Sequence, residues 1–307
     1  MNIIGAIAGG LLASIVIVGI WAWTPDRSRT DLEARYLDAS SAFMDVAGTS
    51  LRVRDTGPKS ASVLIFMHGF GSSLETWEPW ARMLSDNYRV VLFDFPGSGL
   101  SEPDRTGDYS DARSLDLVKA LMQQMGIQRA VLIGNSMGGR IAWKFAAAHP
   151  TLVSKLVLIS PDGFASPGFE YGQPPRVPAI LTLMKYFLPK PFLRTNLLAA
   201  YADPVRLSDA QLTRYYELLL APGNRSAMIA RMRQTLLEDP RAQLQRIEVP
   251  TLLLWGEADH MIPYSNAADY LRALANAKLV AFPDLGHVPQ EESPDESVRP
   301  LEQFLAQ

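Results

Sequence analysis

Three residues in this chain have the types, order and setting that hydrolytic chemistry through a covalent serine intermediate requires: Ser136, Asp259 and His287. Gly134-Asn135-Ser136-Met137-Gly138-Gly139 falls between an apolar run at 130–133 and a helical pattern at 137–148. A G-x-S-x-G turn from strand to helix lifts the serine hydroxyl clear of the backbone and leaves room only for glycines beside it. It also aims the amino end of the following helix at a developing anion. At an elbow of this kind the partners follow in the order serine, acid, histidine, so the base comes late in the chain. His287, in Asp284-Leu285-Gly286-His287, is the candidate general base. Asp259, in Gly256-Glu257-Ala258-Asp259-His260, is the candidate that orients the imidazole, with Glu257 and Asp162 as its competitors. The loop His68-Gly69-Phe70-Gly71 follows another apolar run, which makes the backbone amides of Phe70 and Met137 the expected oxyanion donors. His68 is expected to shape that loop, His149 to sit at a helix end, and His260 to be a loop neighbour of the acid.

Composition removes other chemistries. The chain has no cysteine, so thiolate metal sites, disulfides and cysteine catalysis are excluded. Its net charge is only −3 with 20% charged residues, and no Lys/Arg-rich run offers a nucleic-acid surface. The chemistry expected of the triad needs neither metal nor organic cofactor.

These residues need elements to hold them. From Ser41 onward, short β-rich runs alternate with helical patterns, which predicts an α/β fold with a mostly parallel sheet. Residues 42–46 and 50–55 read as an opening hairpin around Gly48, and residues 63–67, 90–93, 130–133, 156–159, 251–255 and 279–282 as buried strands. Every motif above lies at the carboxyl end of one of these strands, where sites form in such sheets.

The amino terminus reads as a separate object. Residues 3–23 are 21 uncharged residues, long enough as a helix to cross roughly 30 Å of hydrocarbon, with Trp21 and Trp23 at the interface end. A cleaved signal fits less well, because no Lys or Arg precedes the run and no small-x-small site follows it. Gly5 and Gly9 form a GxxxG register through which two such helices could pair as a homodimer. Residues 24–40 read as a juxtamembrane linker, with a capping box at Thr30-x-x-Glu33 opening a short helix. Arg27, Arg29 and Arg35 follow the anchor; read literally they place the domain in the cytoplasm, and the charge pattern alone leaves the side open.

From residue 41 to 304 the chain resembles the α/β-hydrolase superfamily: His-Gly-Phe-Gly-Ser-Ser from His68, Asp94-Phe95-Pro96-Gly97-Ser98-Gly99, the elbow, Trp-Gly-Glu-x-Asp ending at Asp259, and Gly-His-Val-Pro-Gln from Gly286 occur in order. That resemblance implies an eight-stranded α/β-hydrolase core at 41–164 and 248–307 and a helical cap at 165–247. Asp94 and its glycines are similar to a structural turn of the family. Within the cap, helical stretches are expected at 178–188, 192–201, 208–220 and 224–237, and large apolar residues such as Phe164, Phe169, Tyr186 and Phe187 could line an acyl pocket or touch lipid. With its anchor, the chain is similar to bacterial membrane-anchored lipases and phospholipases A. This implies a single-pass inner-membrane protein whose catalytic domain faces the periplasm and whose partners are the bilayer and an acyl-lipid or ester substrate.

The expected function is therefore carboxylic-ester hydrolysis of acyl lipids through an acyl-enzyme. Two alternatives stand beside it. A meta-cleavage-type carbon–carbon bond hydrolase also resembles this chain at the elbow, although such enzymes typically carry Trp after the catalytic His, where this chain has Val288. The other is a non-catalytic scaffold of the same fold. An aspartate elbow, as in epoxide hydrolases and haloalkane dehalogenases, is excluded by Ser136.

Overall fold

Apolar runs without alternation become the inner strands of a sheet covered on both faces. In the computed structural model, which describes residues 19, 22–165, 170–173 and 176–307, eight strands form one sheet: β1 (Ser41–Val46), β2 (Thr49–Thr56), β3 (Val63–Met67), β4 (Arg89–Phe93), β5 (Ala130–Asn135), β6 (Val153–Ile159), β7 (Thr251–Gly256) and β8 (Ala277–Phe282). Their order is β1-β2-β4-β3-β5-β6-β7-β8. Only the β1–β2 and β2–β4 pairs are antiparallel; the other five are parallel. The hairpin turns on Ala47 and Gly48, both at positive φ, which is the turn sense that matches strand twist.

The central strands divide their side chains between two cores with period two. Ile65, Met67, Val91, Leu132, Leu158 and Leu253 enter one, and Leu64, Phe66, Val90, Ile133, Val157 and Leu254 the other. On the first face lie α3 (Asp111–Gln124), α4 (Met137–Ala148) and α9 (Asn266–Ala273), through residues such as Leu121, Phe145 and Tyr270. On the second lie α2 (Glu78–Leu84) and, after the single turn α10 (Pro289–Glu292), α11 (Pro294–Leu305), through Trp80, Leu84, Leu301 and Phe304. These two cores fix the strand ends that carry the site.

Between β6 and β7 the chain is helical: a 3₁₀ segment Ala179–Lys185, then α5 (Lys190–Leu198), α6 (Asp209–Leu219), α7 (Asn224–Gln234) and the single turn α8 (Arg241–Leu244). Here the buried apolar clusters are small. Leu188, Leu219 and Leu220 form one, and Leu218 and Ala221 join Leu32 and Leu100 in another. Ile180, Leu183, Tyr186 and Phe192 instead face outward. Phe169 lies outside the described residues.

The linker helix α1 (Arg29–Tyr36) departs from the sequence expectation. Thr30 lies inside it rather than capping it, and the Ser28 cap makes no side-chain bond. Glu33 is taken by Arg29 one turn earlier, Nε to Oε1 2.8 Å, so the charged partner displaces the capping box. Among the described residues no helix is long and apolar enough to cross a membrane. Of the expected anchor at 3–23, only Gly19, Ala22 and Trp23 lie among them, and Gly5 and Gly9 do not.

Candidate active site

The elbow joins β5 to α4. Ser136 takes φ 55° and ψ −120°, a conformation non-glycine residues seldom adopt. It is held by its surroundings: its amide donates to Ile159 O (3.0 Å), and its carbonyl accepts from Asp162 N (3.1 Å). The flanking glycines are a matter of space. A Cβ on Gly138 would stand 2.1 Å from Met67 O, and one on Gly134 would stand 2.3 Å from Gly138 O.

The structure also brings Asp259 and His287 together. His287 Nδ1 lies 2.8 Å from Asp259 Oδ2, both residues being buried. A carboxylate only accepts, so Nδ1 carries a proton, and in the neutral ring Nε2 is the acceptor. The other oxygen of Asp259 accepts from the amides of Met261 (2.8 Å) and Ile262 (2.9 Å). Burial alone would raise the Asp259 carboxyl, but His287 and these amides outweigh it and hold it below the ordinary range. The competitors are placed elsewhere: Glu257 is exposed, and Asp162 forms a close ion pair with Arg140.

The two loops meet through a residue the sequence reading missed. Asn135 Nδ2 donates to Ile159 O (3.1 Å) and to His287 O (2.9 Å), tying the elbow to the histidine loop. Its position beside Ser136 was visible; the 152-residue span of the second bond was not. His68 is fully buried, with Nδ1 2.8 Å from Gly69 O and Nε2 accepting from Phe95 N at 3.0 Å. Burial lowers its pKa to about 4, so it is a neutral brace for the loop. Among the described residues neither the Phe70 nor the Met137 amide has an intramolecular acceptor, as an oxyanion site requires.

A second group was also missed. Glu291, four residues after His287, is buried and accepts from Tyr201 Oη (2.8 Å), Tyr215 Oη (2.7 Å) and Arg214 (3.0 Å). Burial opposes its charge, yet Arg214 and the hydroxyl donors keep its carboxyl below the usual range. Glu292 accepts from Gly286 N and Ala202 N, and His287 N donates to Ala200 O at 2.8 Å. The histidine loop is thus fastened to the helical segment as well as to the sheet. An acid pair in the buried turn after His287 was the signal available.

Beside Phe70 and Met137 opens a narrow cleft with a cavity volume of about 20 Å³. Its far wall is α6 and α7, through Tyr215, Leu219, Met228 and Arg231. Ser72, Ser98 and Asn224 add polar groups.

Comparison with known proteins follows this geometry. The chain is 29% identical over 293 residues to the 2-hydroxy-6-oxononadienedioate/2-hydroxy-6-oxononatrienedioate hydrolase of Paraburkholderia phymatum, covering 91% of this chain and 100% of that one. It is 28% identical over 253 residues to the 2-hydroxy-6-oxo-6-phenylhexa-2,4-dienoate hydrolase of Comamonas testosteroni, covering 80% and 87%. Among solved structures, a bacterial membrane phospholipase A superposes with a TM-score of 0.74 at 25% identity over 98% of this chain and 97% of that one.

These relatives correct the expectation of a carboxylic-ester hydrolase for acyl lipids: they are hydrolases of 2-hydroxy-6-oxo acids, the chemistry held as the alternative. The physical reason lies in the helical segment. The apolar residues read there as an acyl pocket pack among themselves, as Leu188 does, or face outward, as Leu183 and Phe192 do. None of those three lines the cleft, whose apolar lining comes from Phe70, Met137, Leu218, Leu219 and Met228, with serines, Asn224 and Arg231 beside them. The sequence model of the alpha/beta hydrolase fold matches residues 62–294, and the chain belongs to that family of hydrolases.

Proposed function

We propose that this protein is a serine-dependent hydrolase of carbon–carbon bonds, acting on a 2-hydroxy-6-oxo-dienoate or a close analogue. The observation that carries the reading is the likeness to such a hydrolase over 91% of this chain and all of the relative's length. Arg231, on the cleft beside the Phe70 and Met137 amides, supports it.

The bond to be cut joins a ketone carbon to a chain carbon, so the chain carbon must leave with the electron pair. The 2-hydroxy-diene provides for this: once ketonised, it delocalises that pair onto its own oxygen. Ser136 Oγ adds to the ketone carbon as its proton passes to His287 Nε2, and the new oxyanion rests on the Phe70 and Met137 amides. Collapse breaks the carbon–carbon bond and expels the dienolate, and His287 returns the proton to the dienolate oxygen. Water, deprotonated by His287, then cleaves the acyl-serine to a carboxylic acid and restores the hydroxyl. Asp259 holds the imidazole tautomer throughout.

The sequence offers further proposals about placement. Residues 3–23 act as a single-pass inner-membrane anchor with Gly5 and Gly9 as its pairing face, the enzyme lies on the periplasmic side, and residues 165–247 serve as a lid. Fractionation of the full chain against residues 24–307 tests the anchor.

The central test follows the loss of the dienolate chromophore of 2-hydroxy-6-oxo-6-phenylhexa-2,4-dienoate. Wild type should turn it over, and Ser136→Ala should slow it at least about a thousandfold without altering the melting temperature. An ester cleaved far faster than the diketone, or a variant keeping a tenth of wild-type rate, overturns the reading.

A further inference from the structure

Among the described residues five arginines are buried, and four of them share a pattern. Arg52 pairs with Glu75 and Asp94, Arg54 with Asp38 and Glu78, Arg140 with Asp111 and Asp162, and Arg225 with Asp26. Arg231 is the exception. It is 5% exposed, and among the described residues no carboxylate stands within ion-pair distance of it. Its guanidinium is positioned by uncharged groups only: NH2 donates to Pro96 O at 3.2 Å, NH1 lies 3.5 Å from Tyr109 O, and the rings of Phe95 and Tyr109 flank it at 5.8 and 5.2 Å. These contacts orient a cation without neutralising it.

A buried charge without a counter-ion is costly, and natural cores pair it or lose it. Burial, with Arg140 adding to it, draws the Arg231 pKa down to about 10, so the group is still charged at neutral pH. What sets Arg231 apart from the other four is its place: it lines the cleft that also contains Phe70 and Met137. Ser98 stands on the same cleft, where its hydroxyl can give a hydrogen bond to an anion, while both amide hydrogens of Asn224 are held by Gly99 O and Leu218 O. A carboxylate supplied by the substrate would provide the missing counter-ion.

We propose that Arg231 is the anion-binding residue of the cleft, taking a substrate carboxylate while the scissile carbonyl sits on the Phe70 and Met137 amides. This deepens the proposed function, since it assigns the acid end of the dienoate to a named residue. It can nevertheless be tested apart from carbon–carbon cleavage. Two 4-nitrophenyl esters of equal chain length serve as probes: the valerate, with a neutral end, and the glutarate, with a carboxylate end. Both use only Ser136 and its base, so the comparison stands even if the diketone is not a substrate.

Wild type should favour glutarate over valerate by tenfold or more in kcat/KM, with the difference in KM. Arg231→Met should abolish that preference, lowering kcat/KM for glutarate at least about tenfold more than for valerate. Arg231→Gln keeps donors for Pro96 and Tyr109 but lacks the charge, so it should behave as Met does if Met proves unstable. Arg231→Lys, which keeps the charge, should retain part of the preference. A purely structural arginine would lower both esters alike. No preference in wild type, or a preference that survives loss of the charge, rejects the assignment. Loss of the preference in a protein that does not cleave the diketone would keep Arg231 as an anion site and dismiss only the carbon–carbon reading.

Discussion

The cleft has two walls, and they are held by different physics. The sheet-side wall consists of the segments that follow β3, β4 and β5, whose strands rest on the two large apolar cores. Its tolerances are set by contact: backbone passes so near Gly134 and Gly138 that no side chain fits. The helix-side wall, α6 and α7, stands on apolar clusters of three or four buried residues. Its fastening is ionic and reaches far along the chain. Arg35 (2.8 Å), Tyr36 Oη (2.7 Å) and Arg27 (3.4 Å) converge on Glu217 of α6, while Arg225 of α7 takes Asp26 (2.6 Å) and Thr24 O (2.7 Å). The residues before β1 are thus a strap across the helices that shape the cleft. The elbow is placed where packing is unforgiving, and the helices facing it where polar ties stand in for a large core.

The sheet-side wall should be the harder to alter. Gly138→Ala puts a methyl group against the Met67 and His68 carbonyls, at 2.1 and 2.7 Å, and backbone cannot step aside as a side-chain tip can. We expect a loss of about 3 kcal/mol or more, by analogy with the larger core defects, and activity down at least a hundredfold. Calorimetry and the dienolate assay check both. A variant with wild-type melting temperature and rate would show that the elbow is not sterically locked.

What the sequence disclosed divides along the same line. Strands could be read because burial on both faces leaves unbroken apolar runs, and the elbow because only glycine fits around Ser136. Asp259 and His287 stood out as polar residues just beyond such runs. The helix-side wall was less legible. Arg231 looks like any helical arginine until its neighbours are known, since the absence of a counter-ion is a property of three dimensions. Glu217 and Glu291 look like surface acids, yet their partners lie up to 182 residues away. Large apolar residues between β6 and β7 suggested an acyl pocket because hydrophobicity says that a side chain is buried or sticky, not where it points. The local capping pattern at Thr30 and Glu33 failed against a stronger charged neighbour, Arg29.

A pH experiment sharpens the comparison, because His68 braces the sheet-side loop as a neutral ring. Burial takes its pKa from 6.5 to about 4, outweighing the opposing bond to Gly69. The unfolded chain therefore binds this proton near pH 6.5 and the folded chain only near 4. Between those values the unfolded state holds more protons, so stability falls as pH falls, by up to about 3 kcal/mol in total, and then levels for this group. His68→Gln, which can still serve Phe95 N and Gly69 O, removes that dependence. Melting curves from pH 7 to 4.5 should fall less steeply for the variant. Parallel curves would mean that His68 is protonated in the fold.

The smallest effect is expected on the other wall, and it is the most informative about the strap. Glu217 is buried, but Arg27 and Arg35 are about half exposed, at 47% and 57%, so water screens much of what the pairs contribute. Glu217→Gln keeps one acceptor for Tyr36 Oη while removing the charge. We expect a cost of about 1–2 kcal/mol, or a melting temperature lower by about 3–6 °C. Because α6 carries Tyr215, Leu218 and Leu219 into the cleft, the change should show in binding. KM for the dienoate should rise a few-fold while kcat stays within about twofold, since Ser136 and Asp259 rest on the sheet and the Glu291 ties of Arg214 and Tyr215 still hold the His287 loop. Asp26→Asn, which loosens α7 from the same strap, should act in the same direction. If either variant lowered kcat as strongly as it raised KM, the two walls would not be separable and the strap would have to be counted among the supports of the triad. If neither moved KM, the ionic ties would be surface decoration and the small apolar clusters alone would hold the helices.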